Sequence, residues 1–136
     1  MGVYTNIQAA LDTELNTISG SPSIAWPNTN FTPTQGTLYL APNLLPLVSS
    51  LETLNDYHRY SGIYQVDILV PLEKGTATLN LWCDRVHDLF PANTTLSSGG
   101  DTILIQNINR GLTVRDSDNN HEYYRSSIDI NFIVYT

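Results

Sequence analysis

The sequence predicts an α+β fold: a mostly antiparallel sheet with two amphipathic helices packed on one face. Three features lead there. The run Arg59–Pro71 is dominated by β-branched and aromatic residues and reads as a strand. Alternation along it places Tyr64, Val66, Ile68 and Val70 on one side and Ile63, Gln65, Asp67 and Leu69 on the other. The run Tyr123–Tyr135 repeats the pattern, with Tyr124, Ile128, Ile130, Phe132 and Val134 opposed by Arg125, Ser127, Asp129 and Asn131. The two strands are expected in one sheet, with the same face polar in both. Two helical stripes supply the cover for the apolar side.

The first helix is expected over Asn6–Ser19, where Ile7, Leu11, Leu15 and Ile18 recur at helical spacing. Thr5 is read as its N-cap, with Gln8 completing a capping box, and Gly20 as its stop. Asp12 and Glu14 lie off the stripe and are assigned to a solvated face. Pro22, Pro27 and Pro33 then exclude helix and central strand up to Gln35. Within this arm Ile24–Trp26 reads as a short edge strand, and Trp26 and Phe31 as anchors onto an apolar surface of the same domain or of a neighbouring copy. Thr37–Leu45 is strand-like, with Pro42 and Pro46 pointing to a sheet edge. Val48–Tyr60 lacks a period and reads as a long loop or an irregular hairpin, a length associated with contact or function.

After the connection Leu72–Gly75, a second helix is expected over Thr76–Phe90. Leu79, Trp82, Val86, Leu89 and Phe90 form its stripe, with Cys83 at the margin and Pro91 as the stop. Leu81 falls off the stripe, as an exposed residue or a subunit contact. Ser97-Ser98-Gly99-Gly100 reads as a turn. Strands follow at Thr102–Ile108 and around Leu112–Val114, and a polar loop at Asp116–Glu122 leads into the last strand.

At 136 residues the chain is expected to form one domain over 1–136, and its 41% hydrophobic content suits a globular protein. The lone Cys83 permits no internal disulfide, and no apolar run approaches a membrane span, so a soluble cytoplasmic protein is the default expectation. The net charge is -7, no Lys or Arg precedes Arg59, and the later arginines are scattered. Tight nucleic-acid binding needs clustered cations, so that class is set aside. An acidic surface remains suited to letting DNA pass without adhesion.

The chemistry of catalysis finds little support. His58, His87 and His121 lack partner motifs, and Asp84, His87 and Asp88 on one helix face read as solvated rather than metal-binding. The stretch Asp116–Glu122 opens like a calcium loop, but His121 stands where the turn needs glycine and Ser127 where a bidentate glutamate belongs. It is read as a hairpin loop. No phosphate loop, nucleophile elbow or zinc pair occurs, and the sequons at Asn30 and Asn93 are read as chance. No enzyme activity, cofactor or metal is expected.

The opening helix, Ile24-Ala25-Trp26-Pro27-Asn28, Phe31-Thr32-Pro33, Gly62-Ile63-Tyr64-Gln65-Val66-Asp67, Leu89-Phe90-Pro91 and the last strand, taken in order, resemble phage tail terminator-like proteins of long-tailed phages. The resemblance implies a structural virion protein at the head-proximal end of the tail, assembled in the host cytoplasm. Such a protein caps the tail tube, stops its polymerisation and docks the filled head. It implies a homo-oligomeric ring, commonly a hexamer, in contact with the tail tube protein and a neck or head completion protein. Genome DNA passes through without specific binding, and no membrane, cofactor or catalytic residue is involved. In that setting Gln65, Asp67, Asp129 and Asn131 are expected to face the lumen or a neighbouring subunit, with plain solvent exposure as the alternative. Trp26, Phe31, Tyr57 and Tyr60 are expected at inter-subunit contacts. A head-tail connector and a small carbohydrate-binding module stay open as other functions.

Overall fold

Two long strands form the middle of the sheet. In chain order the elements of this computed structural model are α1 (Val3–Leu15), β1 (Ser23–Ile24), β2 (Tyr39–Leu44), β3 (Val48–Leu51), β4 (His58–Pro71), α2 (Gly75–Leu89), β5 (Thr95–Ser98), β6 (Asp101–Arg110), β7 (Val114–Asp118) and β8 (His121–Tyr135). The structure describes residues 3–18, 20, 22–26, 37–45, 48–51, 58–71, 75–111, 114–118 and 121–135. The sheet runs β1-β2-β4-β8-β6-β5, with β3 added to β4 and β7 to β8. Every pairing is antiparallel except β1 with β2. The α+β class, the mostly antiparallel sheet and the pairing of the two strong strands are therefore as expected from sequence.

β4 and β8 pair in register from Arg59↔Tyr135 to Pro71↔Tyr123. Their even-numbered residues form the core: Tyr64, Val66, Ile68, Val70, Ile130, Phe132 and Val134 are fully buried. Ile7, Ala10, Leu11 and Leu15 of α1 and Leu79, Trp82, Cys83 and Val86 of α2 belong to the same cluster. Burying each large apolar side chain is worth about 1.5–3 kcal/mol, which makes this layer the main source of stability.

The α1 boundaries differ from the expected ones. Thr5 lies inside the helix rather than capping it, and Gln8 donates to Asp12 at 3.0 Å instead of reaching back. The earlier start matches the contacts of the first turn: the exposed Tyr4 ring meets Tyr60 edge-on at 5.7 Å, and buried Asn6 docks on the β5–β6 hairpin. Nor is Asp12 merely solvated. Its carboxylate accepts a 2.5 Å hydrogen bond from the hydroxyl of fully buried Tyr64. A phenol in the core must find an acceptor, and helix α1 supplies it. The helix closes at Leu15 through two tighter bonds, Thr17 N–H to Glu14 and Ile18 N–H to Leu15. Gly20 follows at φ 92°, a conformation that glycine tolerates, backed against Trp82 and Arg85.

α2 spans Gly75–Leu89, and its stripe packs as expected, while Leu81 is 48% exposed. The stretch Val48–Tyr60 holds the irregular hairpin: β3 pairs with the start of β4, and residues 52–57 lie outside the described ones. Ser97 and Ser98, read as turn, are the end of strand β5, and only Gly99 and Gly100, both at positive φ, make the turn. Asp116–Asp118, read as loop, likewise belongs to strand β7, paired with His121–Tyr123 of β8.

Candidate functional site

The side of the sheet opposite the helices carries the polar groups. Directly paired residues in an antiparallel ladder project to the same face. The register therefore aligns Asn43, Gln65, Asp129 and Asn109 in one row across β2, β4, β8 and β6. Beside it lie the rows Ala41–Asp67–Ser127 and Ile63–Asn131–Asn107. Gln65, Asp67, Asp129 and Asn131, the residues singled out from sequence, thus come together as one patch.

Hydrogen bonds hold this patch in place. The Gln65 amide donates to Asp129 at 3.0 Å, across the strand pair. Arg125 lies 3.6 Å from the Asp67 carboxylate, both partly exposed. A pair this open contributes on the order of 0.2–1 kcal/mol, so its role is to orient the two groups and blunt the charge. The patch is consequently rich in neutral amides, with two carboxylates and one tethered guanidinium.

Apolar groups frame it at both ends. Tyr39, Leu69 and Tyr123 make a small second core, with the two tyrosines edge-on at 5.4 Å and Ala25 and Ala41 packed against it. At the other end Leu104 pairs with Ile133, which is 5% exposed. The face is polar in its middle, as the placing of Ile63 and Leu69 on either side of Gln65 and Asp67 indicates from sequence.

Asn43, Asn107 and Asn109 complete the rows and were not singled out from sequence. A register shift at β6 between Ile105 and Asn107 explains two of them. The bulge leaves Gln106 unpaired and resets the alternation, so Asn107 and Asn109 join the polar face while Ile108 turns to the core side. The Asn-Ile-Asn spacing is the only sequence signal for it.

Of the expected contact residues, two are described. Trp26 and Tyr60 are half-buried against their own core, Tyr60 on the helix side with Tyr4. Phe31 and Tyr57 lie outside the described residues. Cys83 is buried, and burial pushes its thiol up from the ordinary value despite the nearby Arg110 charge. Among the described residues no group of three His, Cys, Asp or Glu side chains is placed to hold a metal ion, and no helix is long and apolar enough to cross a membrane.

The fold is thus a helix-backed, mostly antiparallel sheet with an open polar face. A sequence profile described as phage tail terminator protein matches residues 6–132. The chain belongs to the phage tail terminator protein family, and its role is structural, in the tail of the virion. A solved structure with 25% sequence identity superposes with a TM-score of 0.72, covering 94% of this chain and 92% of its own. No curated protein sequence matches.

Proposed function

We propose that the protein caps the growing tail tube, ends its polymerisation and provides the surface on which the head or neck docks. It acts as a homo-oligomeric ring, six copies being the expected number, at the head-proximal end of the tail. The family match over residues 6–132 is the observation that carries this reading.

The open sheet face supports the placement of DNA. Gln65, Asp67, Asp129 and Asn131 face the lumen, where a surface of amides and carboxylates hydrates well and gives phosphates no cluster of cations to grip. The Arg125 guanidinium beside the patch is 3.6 Å from the Asp67 carboxylate, which holds it from the duplex. The protein is accordingly a non-enzymatic part of the particle, needing no cofactor.

The test is electron microscopy of tails from a phage lacking this protein. Over-long tubes are expected. Tubes of normal length that simply lack heads would assign the protein to the neck instead.

A further inference from the structure

The charges of this chain are unevenly placed. From Leu15 to Leu51 there is no Asp, Glu, Lys, Arg or His, although the whole chain is 14% charged. That span contributes β1, β2 and β3, so one flank of the sheet is built from uncharged residues. From Leu89 to Asn109 the only charge is Asp101, and it is engaged with the Asn6 amide at 2.8 Å. That second span contributes β5 and nearly all of β6, the opposite flank. Among the described residues outside these two spans, charged side chains lie on the helices, on β4, β7 and β8, and at the end of β6, where Arg110 sits.

Each copy carries a net charge of -7, so a contact that brought its carboxylates together would add local repulsion, and a charge-poor contact surface avoids that cost. Protein interfaces deplete charge at their centre for the same reason. A closed ring needs two different patches on well-separated sides of the subunit. The two charge-poor flanks occupy opposite ends of the strand order, which is the arrangement a ring demands.

The backbone adds a polarity to the two edges. Ala25 N–H bonds the Leu40 carbonyl, so alternate residues Leu40, Pro42 and Leu44 turn their backbone groups outward from β2. Pro42 offers a carbonyl and no N–H there, which prevents two copies of this edge from zipping together as a continuous ladder. The bulge at Gln106 breaks the flatness of β6 in the same way. Both edges are thus suited to side-chain contact with a different edge and unsuited to pairing with themselves.

We infer that the uncharged β1–β2 flank of one copy docks against the charge-poor β5–β6 flank of the next copy, with exposed Thr37 and Asn43 facing exposed Gln106, Asn107 and Asn109 of the neighbour. This rests on the ring reading above and names the surfaces that close it.

The experiment is site-specific photo-cross-linking on purified tails, with p-benzoyl-phenylalanine in place of Asn43, separately in place of Thr37, and in place of exposed Asn80 on α2 as control. Native folding of each variant is checked by circular dichroism, and either flank position suffices. The expected product from the flank positions is a band at twice the 15.1 kDa chain mass, with the adduct mapping to peptides of β5–β6. The control is expected to give none. Adducts with another tail protein, homo-adducts mapping elsewhere, or no adduct from tails that contain the protein would each overturn the inference. Absence of the protein from tails would instead overturn the capping role itself, so the two failures are distinguishable.

Discussion

Tyr64 and Asp12 offer a sharp test of how the helices are locked onto the sheet. Tyr64 is fully buried in the middle of β4, and its hydroxyl donates to Asp12 of α1 at 2.5 Å. A hydrogen bond to a charged group nets about 1.5–3 kcal/mol, and Asp12 is only half-buried, so water replaces part of the loss. Tyr64→Phe keeps the ring and is expected to cost about 1.5 kcal/mol, near the lower end of that range. Asp12→Ala strands a buried hydroxyl and is expected to cost about 2 kcal/mol. The double variant removes the stranded group as well as its partner, so its cost falls short of the sum by at least about 1 kcal/mol. Urea unfolding of the four proteins measures this coupling. In melting temperature, Tyr64→Phe alone corresponds to a drop of about 6 °C for a chain of this length. Burial, with the hydrogen bond and charge of Asp12 reinforcing it, pushes the phenol far above its ordinary 10.0. The unfolded chain therefore loses this proton first, and stability falls as pH rises beyond about 10, by about 1.4 kcal/mol per pH unit for this group. The advantage of the wild type over Tyr64→Phe shrinks over the same range. Additive costs at neutral pH, or a Tyr64→Phe variant as stable as the wild type, would refute the lock.

The turn between β5 and β6 gives a second comparison. A Cβ at Gly99 would sit 2.3 Å from the Asn6 amide oxygen at φ 58°, whereas one at Gly100 meets nothing within 4 Å. Gly99→Ala is expected to cost about 1 kcal/mol or more beyond Gly100→Ala, which carries only the backbone strain, as read by chemical denaturation. On the open face, Asp67→Lys with Asp129→Lys is expected to slow DNA ejection or lower the yield of infectious particles. The neutral pair Asp67→Asn with Asp129→Asn serves as control, and an unchanged titre for the lysine pair counts against the lumen assignment. Cys83, buried with its thiol pushed up, is expected to react with a thiol reagent at a negligible rate until denaturant is added. Rapid labelling of the native protein would place it at the surface.

The fold was most legible where hydrophobic period and burial agree. In β4, β8 and α2 nearly every alternate or helical-spaced apolar residue is in the core, because burial of one face leaves little freedom of register. Reading faltered where tertiary contacts override local signals. Val3 and Tyr4 are helical because the first turn of α1 has Tyr60 and the β5–β6 hairpin to pack on, which no local cap signal announces. Ser97 and Ser98 are strand because β6 lies beside them, although their own chemistry favours a turn. The polar patch was half legible for a related reason. Alternation along β4 and β8 identifies Gln65, Asp67, Asp129 and Asn131, but β6 changes phase at a bulge that only the Asn107-Ile108-Asn109 spacing signals. Of the apolar frame, alternation along β4 indicates Leu69, but the contact of Tyr39 with Tyr123 was hidden, since they lie far apart in sequence and meet only across the sheet.

The place of β8 in the strand order also constrains how the chain is made. It lies between β4 and β6, yet follows both in sequence, so neither has its inner neighbour while the ribosome is still working toward residue 121. Until then β4 lacks the partner for a long backbone flank, the kind of edge that can pair with other chains. Folding is thus a late, cooperative closing event driven by contacts between distant segments, which favours slow appearance of a fully formed subunit over stepwise maturation.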